Sequence, residues 1–296
     1  MLAEREVYMN YEQFIDAMLE CTRRKLPGTD IVEVQEVQKN NGVKLVGLVI
    51  RRHELGIAPV VYMDEFYKRY MAGQSIENLS SMLLERCRHI PEMSHWNFEE
   101  FKDFRKIQDK IVYKLINAEE NKELLKEIPH LPILDFAIVF FMMLEVSENE
   151  TGSILIKNSQ MDLWNCPLSL LYEYAKRNTP VLCPPVLCLL SEVVGVLEKE
   201  CFDNAPIYLL TNKSGVNGAA ALLYPNMPGN IYAMIGRNYY LLPSSIHEFL
   251  IVPDEHGSTP EVLKSIVREV NATQVEKEDF LSDDIYYFDG DIITKM

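Results

Sequence analysis

The chain opens with an apolar pattern of helical period and then changes to the pattern of a β-hairpin. Asn10 and Gln13 have the spacing of a capping box, and the apolar residues after them recur at helical spacing, which predicts an amphipathic helix. Ile31–Gln38 then alternates apolar and polar residues, and the apolar pattern resumes after Asn41 and Gly42. Because Asn and Gly both tolerate a positive φ, this dipeptide predicts a hairpin turn.

The middle of the chain mixes the two periods. The predicted elements are a strand over Ala58–Tyr62, helices over Glu65–Met71 and from Ser75, a helix near Phe98–Phe104, and strands over Lys110–Ile116, Ile133–Val146 and Gly152–Lys157. A helix over Leu168–Arg177 follows. The run from Pro184 to Leu197 carries an unusually broad apolar face, which predicts a central packing helix.

Short strands and helices alternate in the last third. The predicted elements are a strand over Ile207–Thr211, helices over Gly218–Leu223 and Met227–Ile235, strands over Tyr239–Leu242 and Ile246–Val252, a helix from Pro260 to about Val270, and a strand over Ile285–Phe288. Pro129 and Pro132 interrupt helix and sheet alike and mark a boundary.

This order of elements predicts an α+β fold with largely antiparallel sheets, helices packed on one face, and two subregions. Residues 1–129 are expected to form an N-terminal α+β region with a helix, a β-hairpin and further helices. Residues 130–296 are expected to form a larger C-terminal α+β region.

Cysteine usage and the apolar runs favour the cytoplasm. The six cysteines include no CxxC pair and have mostly apolar neighbours, which is typical of reduced thiols. The first residues are acidic where a signal peptide is basic and then apolar. The longest strictly apolar run, Phe136–Leu144, has nine residues, whereas a membrane span needs about 18 to 20. We therefore expect no membrane partner.

The formal net charge of -15 lies mostly in the second half of the chain. Residues 1–130 carry 19 basic and 22 acidic side chains, whereas residues 131–296 carry 10 and 22. An acidic half repels phosphate backbones, so direct nucleic-acid binding is disfavoured. The charge serves either as ordinary solubilising surface or as an acidic mimic of nucleic acid.

Polar residues interrupt a buried-strand pattern in Tyr240–Pro253. The candidate site residues there are Ser244, Ser245, His247 and Glu248. If the stretch is one strand, Ser245 and His247 share a face and can form a catalytic pair whose orienting acid comes from elsewhere. The alternative is a turn in which the hydroxyls bond backbone groups and His247 is a satisfied histidine. We favour the turn and keep Ser245 and His247 as candidate catalytic residues.

A second candidate site lies in the glycine-containing segment Leu210–Pro225. The candidate ligand-binding residues are Asn212, Lys213, Ser214, Gly215, Asn217 and Gly218, together with Ser244 and Glu248. Backbone N–H groups at such a helix start can receive an anion, and Lys213 can add a positive charge. Neither the phosphate-loop pattern GxxxxGKS/T nor the dinucleotide pattern GxGxxG is present. A tight turn with close packing is the favoured alternative.

The remaining polar residues predict no metal site and no cofactor. The histidines lie apart from one another, and no HExxH motif occurs. The acidic stretch Glu276–Asp291 contains interleaved aromatic residues, and it is either a partner-docking segment or a solvated terminus anchored by its rings.

Five stretches carry a family resemblance: Lys39–Ile50, Ile57–Gly73, Leu210–Pro225, Tyr240–Pro253 and Val267–Asn271. Together they resemble an uncharacterised family of gut Firmicutes, known only as a domain of unknown function, over nearly the whole chain. The layout is also similar to another uncharacterised Firmicutes family, which implies an α+β architecture. Neither resemblance implies a substrate or site residues.

We therefore expect a bacterial protein of unknown specific function that acts in the cytoplasm as a non-enzymatic interaction or accessory protein, with another protein as its partner. The accessory setting is implied by the resemblance. One alternative is a hydrolase that uses Ser245 and His247. The second alternative is an acidic mimic of nucleic acid.

Overall fold

The structure is a computed structural model that describes residues 8–51, 60–89, 98–147, 150–194, 206–255 and 259–296. Close contacts divide the chain into two units. Unit 1 comprises residues 1–39, 43–101 and 145–151, and unit 2 comprises residues 40–42, 102–144 and 152–296. The division of the chain predicted near Pro129 stays a prediction.

Unit 1 combines helices with one small sheet. Its elements are α1 (Tyr11–Lys25), β1 (Ile31–Gln38), β2 (Lys44–Arg51), β3 (Val60–Tyr62), α2 (Asp64–Met71), α3 (Ile76–His89) and α4 (Phe98–Phe101). The strands pair antiparallel in the order β1-β2-β3. The predicted capping box is confirmed, because the Asn10 and Gln13 side chains each accept a hydrogen bond from the other residue's N–H.

The core of unit 1 lies between its helices and its sheet. Phe14 and Met18 from α1, Leu48 from β2, and Leu79 and Leu83 from α3 are fully buried in one cluster. Within each helix the two residues stand four positions apart and share one face. Burying a side chain of this size contributes about 1.5–3 kcal/mol, so this cluster holds the helices on the sheet.

The predicted hairpin is confirmed. β1 and β2 pair from Ile31 with Arg51 to Gln38 with Lys44. The turn is longer than a two-residue turn and contains a short 3-10 segment, Asn40–Gly42. Asn41 and Gly42 have φ angles of 56° and 66°, the left-handed conformation that these two residue types tolerate.

Unit 2 contains two sheets and most of the remaining helices. Its elements are α5 (Phe104–Ile107), β4 (Ile111–Asn117), α6 (Lys122–Glu127), β5 (His130–Ile133), β6 (Phe136–Ser147), β7 (Glu150–Leu155), α7 (Asn158–Trp164), α8 (Leu168–Leu182), β8 (Pro185–Leu189), α9 (Leu190–Val194), β9 (Tyr208–Asn212), α10 (Met227–Ile235), β10 (Tyr239–Ser245), β11 (Glu248–Pro253), α11 (Pro260–Gln274), β12 (Tyr286–Phe288) and β13 (Ile293–Lys295). Residues 145–151, at the β6–β7 connection, are the part counted with unit 1.

The two sheets of unit 2 are built from neighbouring antiparallel strands. One has the order β4-β6-β5 with β7 also paired to β6, and the other has the order β13-β12-β10-β11-β9-β8. Each pair whose register is defined is antiparallel. The predicted α+β class with largely antiparallel sheets is confirmed.

Aromatic side chains pack the two sheets of unit 2 against each other. The Phe136 ring of β6 lies 6.2 Å from the Phe249 ring of β11 and 5.1 Å from the Tyr286 ring of β12, centroid to centroid. All three side chains are buried. Such ring pairs add about 0.5–1.5 kcal/mol to the burial of their area.

The helix predicted from Pro184 onwards is wrong. Its described part forms β8, which pairs with β9, and then the short helix α9, whereas residues 195–197 of the predicted helix lie outside the described residues. The side chains of Pro185–Leu190 are exposed or half-buried and form no buried helix face. The preceding helix, predicted to end at Arg177, continues to Leu182 with Pro180 inside it. A short, continuous apolar run fits a strand and a helix equally well, so hydrophobic periodicity does not distinguish the two.

The short elements α6, β5, α7 and β13 were not predicted, and β5 includes Pro132, one of the two prolines expected to interrupt helix and sheet alike. Across the described ranges, none of the helices combines the length and the apolar character that a membrane crossing requires.

Candidate functional site

The candidate catalytic stretch forms a tight β-hairpin. β10 ends at Ser245, Ile246 and His247 form the turn, and β11 begins at Glu248. The pairing of β10 with β11 shifts register between Pro243 and Ser245. The reading of this stretch as one strand, with Ser245 and His247 on a common face, is therefore wrong.

Ser245 closes the turn through the backbone. Its Oγ accepts a hydrogen bond from the His247 N–H at 3.0 Å, which is the local bond expected of a serine at a turn. Among the hydrogen bonds of the described residues, none joins Ser245 Oγ to the imidazole ring. Ser244 and Glu248, the flanking candidates, are half-buried.

The His247 ring is held at both nitrogens. Nδ1 accepts a hydrogen bond from the Asn217 N–H at 3.0 Å, and Nε2 lies 3.1 Å from Asp279 Oδ1. A backbone N–H only donates, so Nδ1 carries no proton. The geometry therefore fixes a neutral ring whose Nε2–H donates to Asp279. Both side chains are about two-thirds covered, with 29% and 33% of their surfaces exposed.

Gly218 permits a close approach behind this ring. The His247 carbonyl accepts a hydrogen bond from Thr211 Oγ1 at 2.8 Å, and the Ala219 N–H bonds the Ile246 carbonyl at 3.2 Å. A Cβ atom at Gly218 would lie 2.7 Å from the Asn212 nitrogen, and closer still to Thr211 Oγ1 and the His247 carbonyl oxygen. Only glycine fits there, as the close-packing reading of this segment predicted.

Residues 212–217, which we name the 212–217 loop, direct their backbone donors inward. The Lys213 N–H donates to the Pro184 carbonyl, and the Asn217 N–H donates to His247 Nδ1. Between them, the Ser214 N–H donates to Asn212 Oδ1, the Gly215 N–H to the Asn212 carbonyl, and the Val216 N–H to Ser214 Oγ. Gly215 and Asn217 adopt φ angles of 68° and 56°, which bend the loop back on itself. The donors that an anion would need are therefore already bonded within the protein. The Lys213 side chain is exposed.

Asp279 is the residue of this site that sequence reasoning missed. It belongs to the acidic stretch interpreted as a docking segment or a solvated terminus. Its sequence position, 32 residues after His247, carries no local signal of pairing. The structure instead places residues 277–282, which we name the 277–282 segment, against the hairpin turn, where the Ile246 N–H bonds the Asp279 carbonyl at 2.8 Å.

A charged cluster lies just beyond this segment. Asp284 pairs with Lys264 at 2.5 Å and with Lys295 at 2.6 Å, and Lys295 also pairs with Asp135 at 3.0 Å. Burial by itself raises the pKa of the Asp284 carboxyl, but the hydrogen bonds from the two lysines outweigh burial and the net pKa is lowered. The Tyr286 hydroxyl donates to Asp135, and burial is the main cause of its raised pKa.

In the described ranges, no group of three or more His, Cys, Asp or Glu side chains has the arrangement of a metal site. The hydrogen bonds around His247 join the hairpin turn, the 212–217 loop and the 277–282 segment in one polar junction. Backbone groups supply most of its contacts.

Residues 11–290 match DUF5688, described as a family of unknown function. The chain belongs to DUF5688. The predicted resemblance to a family of unknown function is confirmed, and the DUF5688 match includes His247, Asp279 and the 212–217 loop. No curated protein and no solved structure matches the chain significantly.

Proposed function

We propose that this DUF5688 protein is a non-enzymatic cytoplasmic protein that acts by binding another protein. The observation that carries the proposal is the engagement of both His247 ring nitrogens. A general base needs an unprotonated nitrogen within hydrogen-bond reach of the hydroxyl that it activates. Nδ1 is the unprotonated nitrogen here, and a backbone N–H occupies it. In this proposal Ser245 and His247, the candidate catalytic residues, therefore have a structural role.

The cysteines support the cytoplasmic part of the proposal. Cys21, Cys166, Cys183 and Cys188 are free thiols. Burial raises the pKa of the Cys166 and Cys183 thiols, which keeps them protonated and unreactive. Thiols of this kind are typical of a reducing compartment.

The acidic surface supports mimicry of nucleic acid less well. Several acidic side chains of unit 2 are engaged inside the unit: Asp135 and Asp284 with lysines, Asp254 with the Tyr287 hydroxyl, Glu255 with Arg237, and Asp279 with His247. A phosphate mimic instead presents unpaired carboxylates along one exposed face.

One observation favours a Ser245/His247 hydrolase as the second candidate. Asp279 stands behind Nε2 as an orienting acid does in a catalytic triad. For Ser245 to use this ring, the Asn217 N–H must leave Nδ1 and the serine Oγ must leave the His247 N–H. Two hydrogen bonds must therefore break before the pair forms.

Two measurements test the proposal. Purification of the tagged protein from its native host, with mass spectrometry of co-purified proteins, is expected to identify a stoichiometric partner. A fluorophosphonate probe, which labels activated serines, is expected to leave Ser245 unmodified. Ser245→Ala and the neighbouring Ser244→Ala serve as matched variants. Labelling that disappears in Ser245→Ala and in His247→Gln, but persists in Ser244→Ala, would establish the hydrolase instead.

A further inference from the structure

The connection between α11 and β12 is held through its backbone carbonyls. All six carbonyls of the 277–282 segment accept a hydrogen bond of 2.7–2.9 Å. The donors are Asn41 Nδ2 to Lys277 and Phe280, Asn40 Nδ2 to Glu278, the Ile246 N–H to Asp279, Asn117 Nδ2 to Leu281, and Asn271 Nδ2 to Ser282. Four asparagines from three separate parts of the chain thus supply five of the six bonds. We name these asparagines, with Ile246 and His247, the asparagine cradle.

The asparagine cradle contacts the 277–282 segment mainly through the main chain of that segment. Every residue carries the same carbonyl, so amide donors fix the course of a segment without reading most of its side chains. The Lys277 side chain is exposed, and Glu278 and Phe280 are half-buried. Three side chains of the segment are bonded or buried: Asp279 bonds His247 Nε2, Leu281 is fully buried, and the buried Ser282 donates through Oγ to Asp135. The bonded or buried side chains of the segment are thus an acidic residue, an apolar residue two positions later and a serine directly after it.

The segment that occupies the cradle leaves one acceptor unused. Asn40 is 9% exposed, and its Nδ2 donates to the Glu278 carbonyl at 2.7 Å. Its Oδ1 is buried without a hydrogen-bond partner in the part of the chain that the structure describes. Buried polar atoms are nearly always paired. A ligand with a hydrogen-bond donor beside the position of Glu278 would give Asn40 Oδ1 its missing partner.

We propose that the asparagine cradle is a peptide-binding site, filled here by the chain's own 277–282 segment and able to take a segment of a partner protein. That partner carries an acidic residue at the position of Asp279, an apolar residue at that of Leu281, and a donor side chain near that of Glu278. This inference rests on the proposed binding function and names its partner chemistry. Residues 275–285 link α11 to β12 without strand pairing, so release of the 277–282 segment would break no hydrogen bond between β12 and β10.

The test uses a fluorescent synthetic peptide with the sequence of residues 275–284, titrated by anisotropy. The protein is the full chain with residues 277–282 replaced by six Gly and Ser residues. The peptide is expected to bind this variant at least tenfold more tightly than the native chain, because the native segment competes at about millimolar effective concentration. A scrambled peptide controls for charge.

Matched variants locate the binding. In the replaced chain, Asn117→Ala is expected to weaken peptide binding at least tenfold, since it removes the donor to one carbonyl. Asn230→Ala, an exposed position on α10, is expected to leave it unchanged. A peptide with Asp279→Asn is expected to bind more weakly than the native sequence. A folded replaced chain that fails to bind the peptide overturns the inference.

If the replaced chain does not fold, peptide binding is tested with the native chain instead. Excess peptide is then expected to speed hydrogen exchange in the 277–282 segment, and unchanged exchange overturns the inference. Failure of the two proposals is distinguishable. If the native chain and Asn117→Ala capture the same protein partner equally, the proposed function stands and the cradle has another role. If the peptide binds as expected but the native host yields no partner, the proposed function fails alone.

Discussion

Replacing Gly218 by alanine tests whether the His247 junction is as tightly closed as its geometry indicates. The new Cβ would lie 2.7 Å from the Asn212 nitrogen and closer still to the His247 carbonyl oxygen. Both are main-chain atoms, so a rotamer change cannot relieve the clash. Overpacking of this kind costs about 1–3 kcal/mol. Displacing the His247 carbonyl also weakens its bond from Thr211 Oγ1, which adds about 0.5–1.5 kcal/mol.

We therefore expect Gly218→Ala to lower the free energy of unfolding of unit 2 by about 2–4 kcal/mol. The measurement is urea denaturation followed by circular dichroism, with the midpoint compared at unchanged slope. Gly229→Ala is the matched control. Nothing lies within 4 Å of a Cβ at Gly229, which stands in the first turn of α10. That change is expected to be neutral or to stabilise by up to about 1 kcal/mol.

A Gly218→Ala protein with the midpoint of the native chain would refute this reasoning. It would mean that the 212–217 loop can move away from the hairpin turn at little cost. The bond from Asn217 to the His247 ring would then be weak, and the hydrolase alternative would gain support.

The other predictions concern the charged cluster, the sheet of unit 1 and the asparagine cradle. The pKa of the Asp284 carboxyl is lowered in the folded protein. The ionised carboxyl therefore stabilises the fold fully above the ordinary aspartate pKa of about 3.9, and this stabilisation is lost as the pH falls through the lowered pKa of the folded state. Asp284→Asn should therefore flatten the fall of urea midpoints in acid, and an unchanged pH profile would contradict this. Gly47→Ala should destabilise unit 1 by about 1–3 kcal/mol, because its Cβ would lie 3.0 Å from the Val61 carbonyl oxygen and closer to the Val60 side chain; a native thermal midpoint would argue otherwise. Asn41→Ala should cost about 2–4 kcal/mol in denaturant titrations, since it loses two bonds to carbonyls and holds a φ of 56°. Asn41→Gly, which keeps that backbone conformation, should cost less.

Local signals made part of the fold predictable. The capping box at Asn10 and the Asn41-Gly42 turn act over a few residues, and both were identified from spacing alone. The predicted helix Met227–Ile235 coincides with α10. In each case neighbouring residues supply the physical cause of the structure. The antiparallel α+β class followed from the order of such elements.

Contacts between distant residues were not predictable. The turn at Ile246 and His247 contains neither Gly, Asn nor Pro at its two central positions, so the sequence predicted the second strand to begin at Ile246, inside the turn. Asp279 reaches His247 only because β10 brings β11 and β12 to its two sides. The apolar run of β8 pairs with β9, and composition alone could not exclude a helix there.

The place of β12 beside β10 has a consequence for biosynthesis. Ribosomes add about 5–20 residues per second, so the 43 residues from Ile246 to Phe288 take about 2–9 s to appear. During that interval the nascent chain holds β10 with one edge unoccupied, and an open edge invites pairing with other polypeptides. Pro243 lacks an N–H group and interrupts that edge near its end. Chaperone dependence of newly made protein should therefore be greatest while this gap is open.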